Sequence, residues 1–99
     1  MSRAFTILPD AQREITEAAD WYHARSPRLG VAFRQELRST LGTIRAHPQR
    51  FANVHKDARA AFLLRYPYRI TYTADDKEIV IVACTHHRRD PQVWMERLR

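Results

Sequence analysis

The chain is 99 residues long, 44% hydrophobic and 28% charged. That balance excludes a disordered chain, the length leaves room for one core, and no apolar run approaches the ~18 residues of a membrane span. Seventeen Lys and Arg against eleven Asp and Glu give a net charge of +6, and setting aside Lys56 and Lys77 leaves fifteen arginines; so many planar, permanently charged guanidinium groups on a small domain predict an anionic partner, either nucleic acid or an acidic protein segment.

The opening residues, Met1 to Thr6, hold no apolar stretch of signal-peptide length, so a cytoplasmic chain is expected. Phe5, Ile7 and Leu8 read as a short strand. Pro9 and Asp10 then start a helix, because proline is tolerated in a first turn and an acid is favoured there. Ala11, Ile15, Ala18, Ala19 and Tyr22 follow at helical spacing, with Glu14, Glu17 and Asp20 read as lying off that stripe. Ser26-Pro27 interrupts, since proline drives the residue before it out of helical conformation. A second stripe runs through Leu29, Phe33, Leu37, Leu41 and Ile44 until His47-Pro48 ends it. So short a connection makes the two helices antiparallel neighbours.

Residues 48 to 59 read as irregular, with Phe51 and Val54 as anchors to the core. The period then changes to two. Phe62, Leu64 and Tyr66 alternate with Leu63 and Arg65; Tyr68, Ile70 and Tyr72 alternate with Arg69, Thr71 and Thr73; Pro67 marks a turn between the runs. After the polar turn Ala74 to Lys77, the run Glu78 to Cys84 is apolar on both faces, the mark of a central strand. A basic segment, His86-His87-Arg88-Arg89, leads through Asp90-Pro91 into a short amphipathic tail with Val93, Trp94 and Leu98. The expected fold is α+β, one domain over residues 1–99: an N-terminal strand, an antiparallel helical hairpin on one face of an antiparallel sheet, and a short helical tail. If the helices cover the tyrosine face, Arg65 and Arg69 point at an open one.

The sequence holds no Gly-rich phosphate loop, metalloprotease helix or CxxC pair, and no metal or cofactor is expected. Cys84 and His86 could share a strand face as a nucleophile pair, but a lone thiol closing an apolar strand is more often simply packed. His86 and His87 diverge as strand neighbours, which is poor geometry for one metal ion. The stronger constellation is electrostatic. Arg59, Arg65 and Arg69 come from the first two strands of the meander, and Arg88 and Arg89 from just beyond the third. Antiparallel pairing can bring these ends together to hold a nucleic-acid backbone, stabilise a phosphorane-like transition state or receive acidic side chains. The plain alternative is a set of solvated or Asp-paired arginines.

Trp21-Tyr22, Ser26-Pro27, Leu29-Gly30 and Phe33 open an ordered set of short motifs. It continues with Ile44-Arg45-Ala46-His47-Pro48, Arg65-Tyr66-Pro67-Tyr68-Arg69-Ile70 and Tyr72, and closes with His86, Arg88-Arg89, Asp90-Pro91, Trp94 and Arg97. Over nearly the whole chain this set resembles the RelE/ParE toxins, the toxin halves of bacterial type II toxin–antitoxin pairs. RelE-like members cut messenger RNA in the ribosome; ParE-like members poison DNA gyrase without a known catalytic residue. By this resemblance Arg69 matches the RelE-type strand arginine and Arg88 the arginine after the last strand, while Trp94 stands where RelE has a catalytic tyrosine. Indole only donates a hydrogen bond and cannot replace a phenol in proton transfer. Lys56 stands alone where RelE has paired lysines, and the Ser26-to-Gly30 turn and the Arg65-to-Ile70 segment resemble the ParE side more.

The resemblance implies a growth-inhibiting gyrase poison, a binding protein rather than an enzyme, held by a cognate antitoxin in a hetero-oligomer. One alternative is a ribosome-dependent mRNA endoribonuclease using Arg69, Arg88 and either His86 or His87. Another is an inactive module that only binds its antitoxin. Contact with the target or an anion is expected at Arg59, Arg65, Arg69, Arg88, Arg89, Trp94 and Arg97, although Trp94 is expected chiefly to pack the tail and Arg97 and Arg99 to be solvated. Antitoxin contact is expected at Trp21, Tyr22, Phe33 and Leu37.

Overall fold

In the computed structural model, which describes residues 3–98, the elements follow in the order β1 (Ala4–Ile7), α1 (Pro9–Arg25), α2 (Pro27–Ala46), β2 (Asn53–His55), β3 (Ala58–Phe62), β4 (Tyr68–Ala74), β5 (Glu78–His86) and α3 (Gln92–Met95). Arg99 lies outside the described residues.

Proline opens both long helices, and Ser26 serves as C-cap of α1 and N-cap of α2 at once. Its N–H donates to the Tyr22 carbonyl while its own carbonyl receives the N–H groups of Leu29 and Gly30. A one-residue connection forces the helices into close contact, and Gly30 allows it: a Cβ there would lie 2.8 Å from the His23 Cβ. The apolar stripes of both helices then face the sheet. Ala11, Ile15, Phe33, Leu37 and Ile44 join Ile70, Tyr72, Ile79, Ile81 and Cys84 in the main core. Tyr22 stacks on Phe33 at 5.3 Å between ring centroids, and Tyr66 meets Phe33 edge-on at 5.1 Å.

The sheet order is β1-β5-β4-β3-β2. β2 to β5 form an antiparallel meander, one strand longer than the three runs expected, but β1 lies parallel to β5, so the five-stranded sheet is mixed. β5 thus has a partner on both sides, as a run apolar on both faces requires. Val82 is an extra residue in β5: Thr71 pairs with Ala83 and Tyr72 with Ile81. This bulge turns Val82 and Ala83 to one face while Ile81 and Cys84 stay on the other.

Two stretches differ from the sequence reading. Residues 48 to 59 are not wholly irregular, since β2 and the start of β3 lie there, and Val54 is 38% exposed rather than an anchor. The Leu63 to Pro67 stretch is a loop, not a strand, although Leu63 and Tyr66 are buried. Its apparent alternation comes from side chains folded inward from a loop that Glu36 fastens by accepting the Leu64 and Arg65 N–H groups. The sheet face away from the helices is also not open. The tail crosses it and buries Trp94 against Ala58, Val82 and Ala83. Among the described residues no helix is long and apolar enough to cross a membrane.

Candidate functional site

Strand alternation puts Arg69 on the tail face of β4, between Phe62 on β3 and Thr85 on β5, its register partners. Its guanidinium carbon lies 6.0 Å from the Phe62 ring centroid and 5.7 Å from that of Trp94. Among the described residues it has no carboxylate partner. The His87 ring stands 5.3 Å from Phe62. The His87 N–H also donates to the Pro67 carbonyl at 2.8 Å, which ties the β3–β4 loop to the turn after β5. Arg65 and Arg88 are exposed on those two neighbouring segments. One end of the sheet therefore presents Arg65, Arg69, His87 and Arg88, around an exposed phenylalanine.

The other expected contact residues lie elsewhere. Arg59 pairs in register with Tyr72, on the helix side, and donates to the carbonyls of Phe51 (2.7 Å) and Gln49 (3.3 Å). Its role is to hold the 48–51 loop. His86 faces the helix side, 5.3 Å from Tyr68, and lines a small groove of about 210 Å³ with Glu17, Trp21 and Arg89. The two imidazoles thus point to opposite faces, and only His87 shares a face with Arg69. Arg97 is not solvated: its side chain is 12% exposed and binds Glu14 through Nη2 to Oε2 (2.8 Å) and Nη1 to Oε1 (2.9 Å). Arg97 Nη1 also donates to the Val82 carbonyl, and the Cys84 N–H donates to Glu14, so the ion pair closes the β5 edge on both sides of the bulge. With these bonds made, Arg97 has little left for an external anion. Cys84 is 1% exposed, and burial pushes its thiol up to about 12, with the Glu14 carboxylate pushing the same way. A neutral, enclosed thiol is packing, not a nucleophile.

This arrangement of hairpin and sheet has a counterpart among known proteins. The family described as the ParE toxin of the type II toxin–antitoxin system, parDE, matches residues 5–91. The chain belongs to the ParE toxin family. A solved structure of the chromosomal ParDE toxin–antitoxin system from P. aeruginosa is similar with a TM-score of 0.74 at 16% identity, covering 86% of this chain and 96% of that chain. At that identity the likeness concerns the fold alone. No curated protein sequence matches.

On this ParE-family chain the residues expected to meet an antitoxin divide sharply. Phe33 and Leu37 are buried in the core and Tyr22 is half-buried, because the hairpin stripe faces the sheet. Trp21 alone of the four is exposed, at 49%, with the Arg25 guanidinium carbon 3.2 Å from its ring centroid. The apolar residues that the hairpin does offer are Trp21, Leu29 and Val31.

Several important ParE-chain residues escaped the sequence reading. Glu14 is 6% exposed, and its position was a usable signal: it stands three residues after Ala11 and four before Ala18, on the stripe itself. A carboxylate on a buried stripe needs a cationic partner. Phe62, Thr71 and Thr85 had no distinguishing signal beyond alternation.

Proposed function

We propose that the chain is the active toxin of a type II pair and acts by binding DNA gyrase rather than by cutting RNA. The observation that carries this reading is the neighbour of Arg69 on the tail: a buried indole. Trp94 has no titratable proton, so on its tail side Arg69 faces packing rather than an acid or base. The exposed sheet end with Arg65, Arg69 and Arg88 then serves as a contact surface for a large target. Residues 1–99 act as one domain in the cytoplasm, where gyrase is found.

The same reading calls for a cognate antitoxin in a hetero-oligomer. Trp21, Leu29 and Val31 on the hairpin, with Arg25, Arg28 and Arg34 on the same two helices, suit an amphipathic acidic segment. Such a segment is disordered when free and folds as it binds.

A ribosome-dependent endoribonuclease is the second reading, and one observation favours it: Arg69 and His87 both border Phe62, so a cation and a titratable imidazole share one place. Adding the purified chain to gyrase supercoiling and cleavage reactions, and separately to ribosomes translating a message, separates the two. Linear DNA accumulating in the first supports the gyrase poison. Site-cut message that disappears with Arg69→Ala or His87→Ala overturns it. Silence in both, with growth unaffected on expression, leaves a module that only binds its antitoxin.

A further inference from the structure

Among the described residues, four side-chain polar atoms are buried with no hydrogen-bond partner: Arg69 Nε, Thr71 Oγ1, Thr85 Oγ1 and Trp94 Nε1. They are not scattered. Arg69 and Thr71 stand two apart on β4, on one face, and Thr85 is the β5 partner of Arg69. Trp94 lies over that face, 5.7 Å from the Arg69 guanidinium carbon. Thr71, Thr85 and Trp94 are 0%, 2% and 1% exposed.

An unpartnered buried polar group costs about 1–3 kcal/mol, and folded chains carry few of them. Three on one sheet face and a fourth on the helix that covers it describe a site. Its chemistry follows from the donor inventory. The guanidinium Nε–H and the indole N–H can only donate, and the two hydroxyls can donate or accept. No carboxylate of the described residues pairs with Arg69; the ion pairs join Arg13 and Arg97 to Asp10, Glu14 and Glu17. The cluster is thus rich in donors, carries one positive charge and contains no acceptor-only group. Two donors carried on a strand and on the helix over it, with two hydroxyls on the same sheet face, match a ligand whose acceptors point in several directions. A tetrahedral oxyanion has that form, whereas a planar carboxylate offers acceptors in one plane only.

We propose that the tail face holds a phosphate-type oxyanion between β4, β5 and α3, bound by Arg69 Nε–H, Trp94 Nε1–H and the hydroxyls of Thr71 and Thr85. The anion arrives from the Phe62 side, where Phe62 is 50% exposed and His87 is exposed, and α3 shifts to admit it and closes with Trp94 as the cap. The site does not depend on gyrase being the target. The ligand is either free phosphate or a phosphodiester group of a single nucleic-acid strand.

The test uses the full chain labelled with ¹⁵N in a Trp21→Phe background, so that one indole N–H signal remains. Inorganic phosphate and a short single-stranded oligonucleotide are titrated separately. The expected result is a saturable shift of the Trp94 indole signal. The Thr71→Val/Thr85→Val double variant, which keeps β-branched side chains of nearly the same shape, should bind about tenfold more weakly. A shift with phosphate at equal strength identifies the free anion as the source, and one found only or mainly with the oligonucleotide identifies the phosphodiester. An indole signal that moves with neither ligand overturns the proposal. So does a folded double-valine variant that binds like the parent, or a high-resolution structure grown in phosphate that shows a single water bridging the four atoms.

Discussion

At the scale of single residues, Cys84 shows how burial sets chemistry. Its thiol ordinarily loses a proton near 9.0 and in the folded chain does so only at about 12, through desolvation first and the Glu14 carboxylate second. Between those values the unfolded chain has lost a proton that the folded chain keeps. Stability is therefore fully present below about pH 9 and falls as the pH rises toward 12. Tyr22, Tyr68 and Tyr72, all raised chiefly by burial, act in the same direction. Urea unfolding at neutral pH and at roughly pH 10 should show this loss, and Cys84→Ala should make it shallower without removing it. An equal slope in the variant would mean that the thiol is not a contributor. Arg97 teaches the opposite lesson about legibility. Composition marked it as one more surface cation, and only the position of Glu14 on a buried stripe pointed to a pair spanning 83 residues of sequence.

At the scale of elements, the helices were legible and β3 was not. Pro9, Ser26-Pro27 and His47-Pro48 bound α1 and α2 where the sequence places them, since proline and apolar spacing act locally. β3 reads Ala58-Arg59-Ala60-Ala61-Phe62, a poor strand former in isolation. It is a strand because β4 supplies its ladder and because Trp94 needs the small Ala58 beneath it. The two glycines of α2 separate packing from propensity. Gly30→Ala must push His23 aside and should cost about 1–3 kcal/mol. Gly42→Ala meets nothing within 4 Å and should raise stability by about 0.5–1 kcal/mol. Thermal melts of both variants check the pair, and a Gly30→Ala variant that melts no lower than the parent would remove Gly30 as the point of closest approach.

At the scale of the whole molecule, the Glu14–Arg97 pair joins the first helix, the last strand and the tail. Removing one partner of a buried pair strands the other charge. Arg97→Ala should cost about 3–5 kcal/mol and lower Tm by more than about 10 °C. Glu14→Gln combined with Arg97→Met keeps an acceptor for the Cys84 N–H and leaves no net charge behind, so it should cost less than Arg97→Ala alone. Differential scanning calorimetry decides between them; a double variant as unstable as the single one would show that packing, not charge, holds the tail. The sheet end around Arg69 was only partly legible for a related reason. Alternation put Arg69 and Arg65 on a shared face, but the tail that covers that face becomes visible only once Trp94 has somewhere to go.

Val82, the extra residue of β5, resets the odd–even count along the strand. Up to Ile81 the odd-numbered side chains look toward the helices; from Cys84 onward the even-numbered ones do. Deleting Val82 would remove the bulge and leave both histidines on their present faces, whereas the same strand without a bulge would exchange them, turning His86 toward Phe62 and His87 toward Tyr68. One residue of slack in the middle of the strand thus decides which imidazole the arginine-bearing end receives.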